Sequence, residues 1–209
     1  MNRVFLLSPA NCNGERARWV LKRDAGSDVA KRLRTPDGAP IGEVFTFLSA
    51  LYFRGKLAYA QAFARPPACG SGVLVITPTA GLLPHDRTIR LSQLRGFSRV
   101  PIHLKNRTYR YALSRAVKKF AIEIGPDCEV VLLGSIGTRK YLDILAPVLS
   151  GRLRVPAEFL GLGDMSRGGL LLRCVRENRE LTYVDPATLS QSVLKATAKE
   201  AKMDESLLR

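Results

Sequence analysis

The segment Glu158–Arg173, EFLGLGDMSRGGLLLR, sets two carboxylates, a hydroxyl and the guanidinium of Arg167 among four glycines and apolar flanks. Asp164 and Glu158 are the candidates for acid–base chemistry. A carboxyl in an apolar setting, as Glu158 has in PAEFLG, is pushed toward a raised pKa and becomes useful as a proton carrier near neutrality. Arg167 can grip a phosphate or carboxylate through two hydrogen bonds. Gly161 and Gly163 allow close backbone approach, and Ser166 adds a hydroxyl. The pattern lacks the G-K-[ST] of a Walker A loop and follows no early strand, so neither the P-loop nor the dinucleotide fingerprint applies. The same residues also suit a tight connection closing a sheet. Asp164 or Ser166 would then cap a short helix, and Glu158 would pair with an arginine.

Three further segments share one grammar: an apolar run that ends in small, hydroxyl-bearing residues. They are Ser8-Pro9-Ala10-Asn11, Thr77-Pro78-Thr79-Ala80-Gly81 and Gly134-Ser135-Ile136-Gly137-Thr138. At the carboxyl ends of parallel strands, such loops offer free N–H groups and hydroxyls to a phosphate, sugar or base. Ordinary strand-to-helix turns use the same residues as caps. The candidate ligand-binding set is therefore Ser8, Asn11, Thr77 and Ser135, with Gly161, Gly163, Ser166 and Arg167. His85, at the end of TPTAGLLPHD, joins it as a possible proton shuttle.

The four cysteines, Cys12, Cys69, Cys128 and Cys174, lie far apart without C-x-x-C or paired histidines. They read as reduced thiols in or near a core, and no metal is expected. No cofactor is indicated. No window holds the about 18 apolar residues that a transmembrane span needs. The first apolar run is too short for a signal peptide, and the expectation is a cytoplasmic protein without a membrane partner.

Charge is the strongest compositional signal. Thirty-three Lys and Arg against 18 Asp and Glu give a net charge of +15. From Arg87 to Ile122 there are ten basic residues and no acid: Arg87, Arg90, Arg95, Arg99, Lys105, Arg107, Arg110, Arg115, Lys118 and Lys119. Such a run points to a polyanionic partner, foremost RNA or DNA. Arg87, Arg90, Arg95, Arg99, Lys105, Arg107 and Arg110 are the candidate phosphate contacts. Phe97, Tyr109, Tyr111 and Phe120 lie between the charges, but the helical pattern predicts Tyr111 and Phe120 on the core side.

The elements that must position these groups follow from periodicity. Val4–Leu7, Gly72–Ile76 and Cys128–Leu133 read as buried strands, and Leu153–Val155 as a fourth. Helices are expected over Glu15–Leu33 with an interruption near Gly26, over Gly42–Ala64 with Gly55 marking a bend or close contact, and over Tyr109–Ile124 and Lys140–Leu149. Thr77–Asp86 reads as a loop, Arg87–Asn106 as irregular, and Leu170–Val175 and Leu181–Val184 as strands around a turn. Alternating strands and helices predict an α/β fold. The expected form is a three-layer sandwich with a mainly parallel sheet of four to six strands. It spans residues 1–185 as a single domain, and a charged, polar helical tail occupies 186–209.

The strand-to-loop LLSPANC, the helix LYFRGKLAYAQAF and the segment VITPTAGLLPHD, supported by VVLLGSIGTRKYLDIL, together resemble a group of α/β domains. That group includes the YaaA-like proteins and the non-transglycosylase domain associated with archaeosine synthases. The resemblance covers about 150 residues. It implies a nucleobase, nucleic-acid or tRNA-modification context. The chain lacks the group's C-S-x-x-K-P-Y-type segment and carries Ser8-Pro9-Ala10-Asn11-Cys12 there, so no catalytic residue transfers. Three functions remain open: a nucleic-acid-binding protein that modifies or senses a nucleobase, a non-catalytic nucleic-acid- or ribosome-binding protein, and an enzyme acting on a small nucleotide-like metabolite.

Overall fold

The structure, a computed structural model, describes residues 1–68 and 70–189. In chain order its elements are β1 (Asn2–Leu7), α1 (Glu15–Leu21), α2 (Asp28–Arg32), β2 (Ala39–Pro40), α3 (Ile41–Phe63), β3 (Val73–Thr77), β4 (Gly81–Pro84), β5 (Thr88–Ile89), α4 (Leu91–Arg99), α5 (Arg107–Glu123), β6 (Cys128–Leu133), α6 (Leu142–Leu149), β7 (Leu153–Pro156), α7 (Asp164–Arg176) and β8 (Tyr183–Val184). The main sheet has the order β4-β3-β1-β6-β7-β8. The strand pairs β3-β1, β1-β6 and β6-β7 are parallel, whereas β4 and β8 run antiparallel at the edges. The fold is thus an α/β sandwich about a six-stranded, mostly parallel sheet. VLVIT and CEVVLL are buried at every position, as strands covered on both faces must be.

The strand order fixes where a ligand can sit. From β1 the chain crosses through α3 to β3 on one side. From β6 it crosses through α6 to β7 on the other. Right-handed crossovers place these helices on opposite faces. α3 packs on α7 on one face, and α5 packs on α6 on the other. Between β1 and β6 the two connections diverge, opening a crevice beyond the carboxyl ends of those strands.

Several local expectations are corrected. Thr77–Asp86 is a hairpin: Thr77 pairs with Gly81 and Leu74 with Pro84. Gly81 makes the turn at φ +70°, a conformation that glycine adopts without a Cβ clash. Leu170–Val175 belongs to helix α7. Its buried residues Arg167, Gly168, Leu171 and Cys174 recur at helical spacing, which the run of three leucines obscures. The stretch 87–106 contains α4, with Leu94 and Phe97 inward. Tyr111 is 70% exposed. The inward stripe of α5 is Tyr109, Leu113, Val117 and Phe120, and a residue two positions from Tyr109 points to the opposite side. The expected strand pair around Glu177–Arg179 is replaced by β8 on the edge of β7. In α3 the break falls at Ala50, with φ 40° and ψ −108°, not at Gly55.

Gly55 instead marks a close contact. A Cβ there would meet the Gly168 carbonyl oxygen at 2.7 Å, and a Cβ on Gly168 would meet Tyr52 Cα at 2.9 Å. The backbones of α3 and α7 therefore touch at this crossing. Of the predicted tail, Pro186–Thr188 forms one 3₁₀ turn, and 190–209 lie outside the described residues. Among the described residues no helix is long and apolar enough to cross a membrane.

Candidate functional site at the β1–β6 switch point

A cavity of about 610 Å³ occupies the crevice. Its wall is made by the loop after β1 from Ser8 to Asn13, Arg16 of α1, the broken middle of α3, Pro78 of the β3–β4 turn, the end of α4 with the α4–α5 connection, the loop after β6, and the first turn of α7. Four predicted residues meet there, Ser8, Asn11, Ser135 and Asp164. Ser8 sits at the centre of the switch point, its N–H donating to the Leu133 carbonyl at 3.0 Å. A Cβ on residue 134 would lie 2.9 Å from Ser8 Cβ, so Gly134 leaves the room that the serine occupies.

Beneath Ser8 lies Lys56, 1% exposed. Its Nζ donates to the Ser8 carbonyl oxygen at 2.6 Å and lies 2.8 Å from Ser8 Oγ. The rings of Tyr52 and Phe53 flank the amine, with centroids 4.3 and 5.0 Å away. Burial pushes the Lys56 ammonium down to about 7; Arg167 and Lys140 act in the same direction and Asp164 opposes them. Tyr52 borders the cavity, and its buried hydroxyl lies beside the Arg167 guanidinium. Burial also raises the pKa of that phenol.

Arg167 is 1% exposed. It lies below the cavity wall rather than in it and donates to the Phe159 carbonyl at 2.9 and 3.3 Å. It also reaches Asp164 at 3.5 Å. Its guanidinium is thus largely committed to holding the approach to α7, contrary to the expected free ligand grip. The Gly55–Gly168 crossing explains why Arg167, Tyr52 and Lys56 cluster: small residues let the two helices approach until their neighbours share one buried space.

The other predicted residues are not brought to the cavity. Thr77 is fully buried and consumed by its turn, accepting from Ala80 N–H and donating to the Gly81 carbonyl, both at 3.1 Å. His85 is carried by antiparallel β4 back toward the start of β3, where its N–H bonds Val73 and its Nε2 lies 3.0 Å from Gln61. Glu158 accepts the Thr182 N–H at 2.9 and 3.2 Å and anchors the edge of the sheet. Gly163 caps α7. Gly161 and Ser166 are exposed outside the cavity lining.

All ten basic residues of the acid-free stretch are exposed. Among the described residues, Lys119 is the one of the ten in a salt bridge, to Glu123. A second depression, a groove of about 740 Å³, runs between α5 and α6 and holds Arg107, Arg110, Lys118 and the exposed Tyr111. The α4–α5 connection, flanked by exposed Arg99 and Lys105, forms one wall of the switch-point cavity. Cys12, at the cavity, is a thiol whose pKa burial pushes up to about 12. It is free and buried, as are Cys128 and Cys174, and Cys69 lies outside the described residues.

Two members of the site, Lys56 and Tyr52, were missed by the sequence reading. The available signal was a lysine one helical turn after a tyrosine, in a helix that leaves few polar positions. The geometry defines a doubly wound α/β protein with a switch-point cavity of mixed polar and apolar lining. No family model, curated protein or solved structure matches the chain.

Proposed function

We propose that this chain binds RNA or DNA along its basic face and takes a nucleobase into the switch-point cavity, to sense or modify it. One observation carries the reading: ten basic residues of the acid-free stretch are all exposed, with Arg107, Arg110 and Lys118 in the groove and Arg99 and Lys105 beside the cavity wall. Charges left unpaired at a surface are free to neutralise phosphates. Tyr111, exposed in the groove between Arg107, Arg110 and Lys118, is suited to stack on a base of a single strand, which favours unpaired over duplex substrates. The cavity, with hydroxyls and amides on its wall, has the size and polarity for one base and its sugar.

Fluorescence anisotropy with labelled single-stranded and duplex RNA and DNA, titrated over a range of salt concentrations, tests this. Binding should weaken linearly on log–log axes, with a slope near −0.7 per contact for single strands and about −0.9 for duplex DNA. A chain that binds no polynucleotide at low salt refutes it.

A further inference from the structure

Five aliphatic hydroxyls and thiols line the cavity, those of Ser8, Cys12, Ser49, Ser135 and Thr138, and their surroundings separate them. Cys12 is held as a thiol by burial, and its Sγ contacts the Ala10 carbonyl at 3.6 Å. Ser135 and Thr138 bond each other at 3.2 Å with no basic group between them. Ser8 alone has an amine at hydrogen-bonding distance, and that amine is one the solvent does not reach.

We infer that Ser8 and Lys56 form a nucleophile–base pair that attacks the acyl carbon of an ester or amide held in the switch-point cavity. The geometry supports each role. Ser8 faces the cavity while Lys56 stands behind it, so a ligand meets the hydroxyl first. One Lys56 N–H is engaged by the Ser8 carbonyl, which fixes the amine and leaves its lone pair for the proton on Oγ, the two heavy atoms being 2.8 Å apart. An amine neutral near physiological pH is what this arrangement requires. Five residues around Lys56 act on its proton. Desolvation among Tyr52 and Phe53, with the charges of Arg167 and Lys140, favours the neutral amine, and Asp164 favours the ammonium.

The step balances without a redox partner. The Oγ–H proton passes to Lys56 Nζ as the Oγ–C bond forms. The bond from carbon to the leaving oxygen or nitrogen then breaks, and that atom takes the proton from Lys56. Water, the second substrate, attacks the acyl-serine, the C–Oγ bond breaks, and Oγ recovers a proton. The Tyr52 hydroxyl, buried at the cavity edge beside Arg167, supplies a donor for charge developing on the carbonyl oxygen. The lining carries Arg16 and Lys140 against the single carboxylate Asp164, which favours a neutral or anionic acyl substrate. This inference rests on the preceding reading only in taking the cavity as the ligand site. It holds equally for an acyl group on a nucleic acid and for one on a small metabolite.

A biotinylated alkyl fluorophosphonate, incubated with the full chain and followed by peptide mass spectrometry, tests it. A single adduct is expected on Ser8, absent in Ser8→Ala and formed at least about 100-fold more slowly in Lys56→Met. The wild-type rate should climb about tenfold per pH unit below about 7 and level off above it. This profile provides the test if Lys56→Met fails to fold. No adduct on Ser8 in the folded chain at alkaline pH, a rate indifferent to Lys56, or a flat pH profile would overturn the pair. Anisotropy on the wild-type chain, set beside its labelling, separates the two readings. Polynucleotide binding without labelling refutes the acyl chemistry alone, and labelling without polynucleotide binding refutes the nucleic-acid reading alone.

Discussion

Lys56 Nζ lies 2.8 Å from Ser8 Oγ, although 48 positions separate the two residues in the chain. The contact joins the carboxyl end of β1 to the second half of α3 and sets a fully buried cation under the floor of the cavity. Burying a charge is costly unless it is compensated, and here the compensation is two oxygens of a single serine, two aromatic faces and a pKa brought down to about 7.

That shift makes stability depend on pH. The folded-state value of about 7 stands below the ordinary 10.5. Between the two values the unfolded chain binds a proton that the folded chain does not. Stability therefore rises with pH in that window, by up to about 1.4 kcal/mol per unit from this group. Below the window both states are protonated, and the burial penalty is fully present. Urea unfolding of wild type and Lys56→Met across this range should show the variant lacking that increment in slope. Parallel slopes would mean that the amine titrates normally.

The Gly55–Gly168 crossing should tolerate no side chain. Gly55→Ala sets a Cβ 2.7 Å from the Gly168 carbonyl oxygen, and backbone cannot yield as a side-chain tip can. A loss of about 1–3 kcal/mol in denaturant unfolding is expected. Gly169→Ala, one residue along α7 with nothing within 4 Å, should instead stabilise by about 0.5–1 kcal/mol.

Tyr111→Ala should leave the melting temperature nearly unchanged, because the ring is 70% exposed. Its effect should appear in single-strand affinity, at about 1–3 kcal/mol if one base stacks on it. Arg107→Gln, Arg110→Gln and Lys118→Gln should each reduce the magnitude of the salt slope by about 0.7 on single strands. Equal affinities of wild type and Tyr111→Ala would remove the groove from the binding surface.

Glu158→Gln should act on stability rather than on binding. Its carboxylate accepts the Thr182 N–H, and a neutral amide makes a weaker bond there, costing about 1 kcal/mol or less. Polynucleotide affinity should match wild type. A drop in affinity with unchanged stability would return Glu158 to the ligand site.

Much of the architecture is legible in the amino-acid order alone. Unbroken apolar runs such as VVLL, flanked by amphipathic segments, require strands covered by helices on both faces, and the acid-free stretch identifies a basic surface before any coordinate is known. Ser8, Asn11 and Ser135 share a cavity because strand ends in a parallel sheet converge, a property of the fold class. Thr77 breaks the pattern because Gly81 reverses the chain, so its hydroxyl serves the turn and His85 is carried to the far end of the sheet. Whether Tyr111 points inward depends on the phase of α5 against the sheet, and the Tyr109, Leu113, Val117 and Phe120 stripe wins because it buries more apolar surface. The pairing of Lys56 with Ser8 is decided only in three dimensions. It depends on the switch between β1 and β6 and on two glycines that let α3 and α7 touch, and neither has a local signature at Lys56 itself.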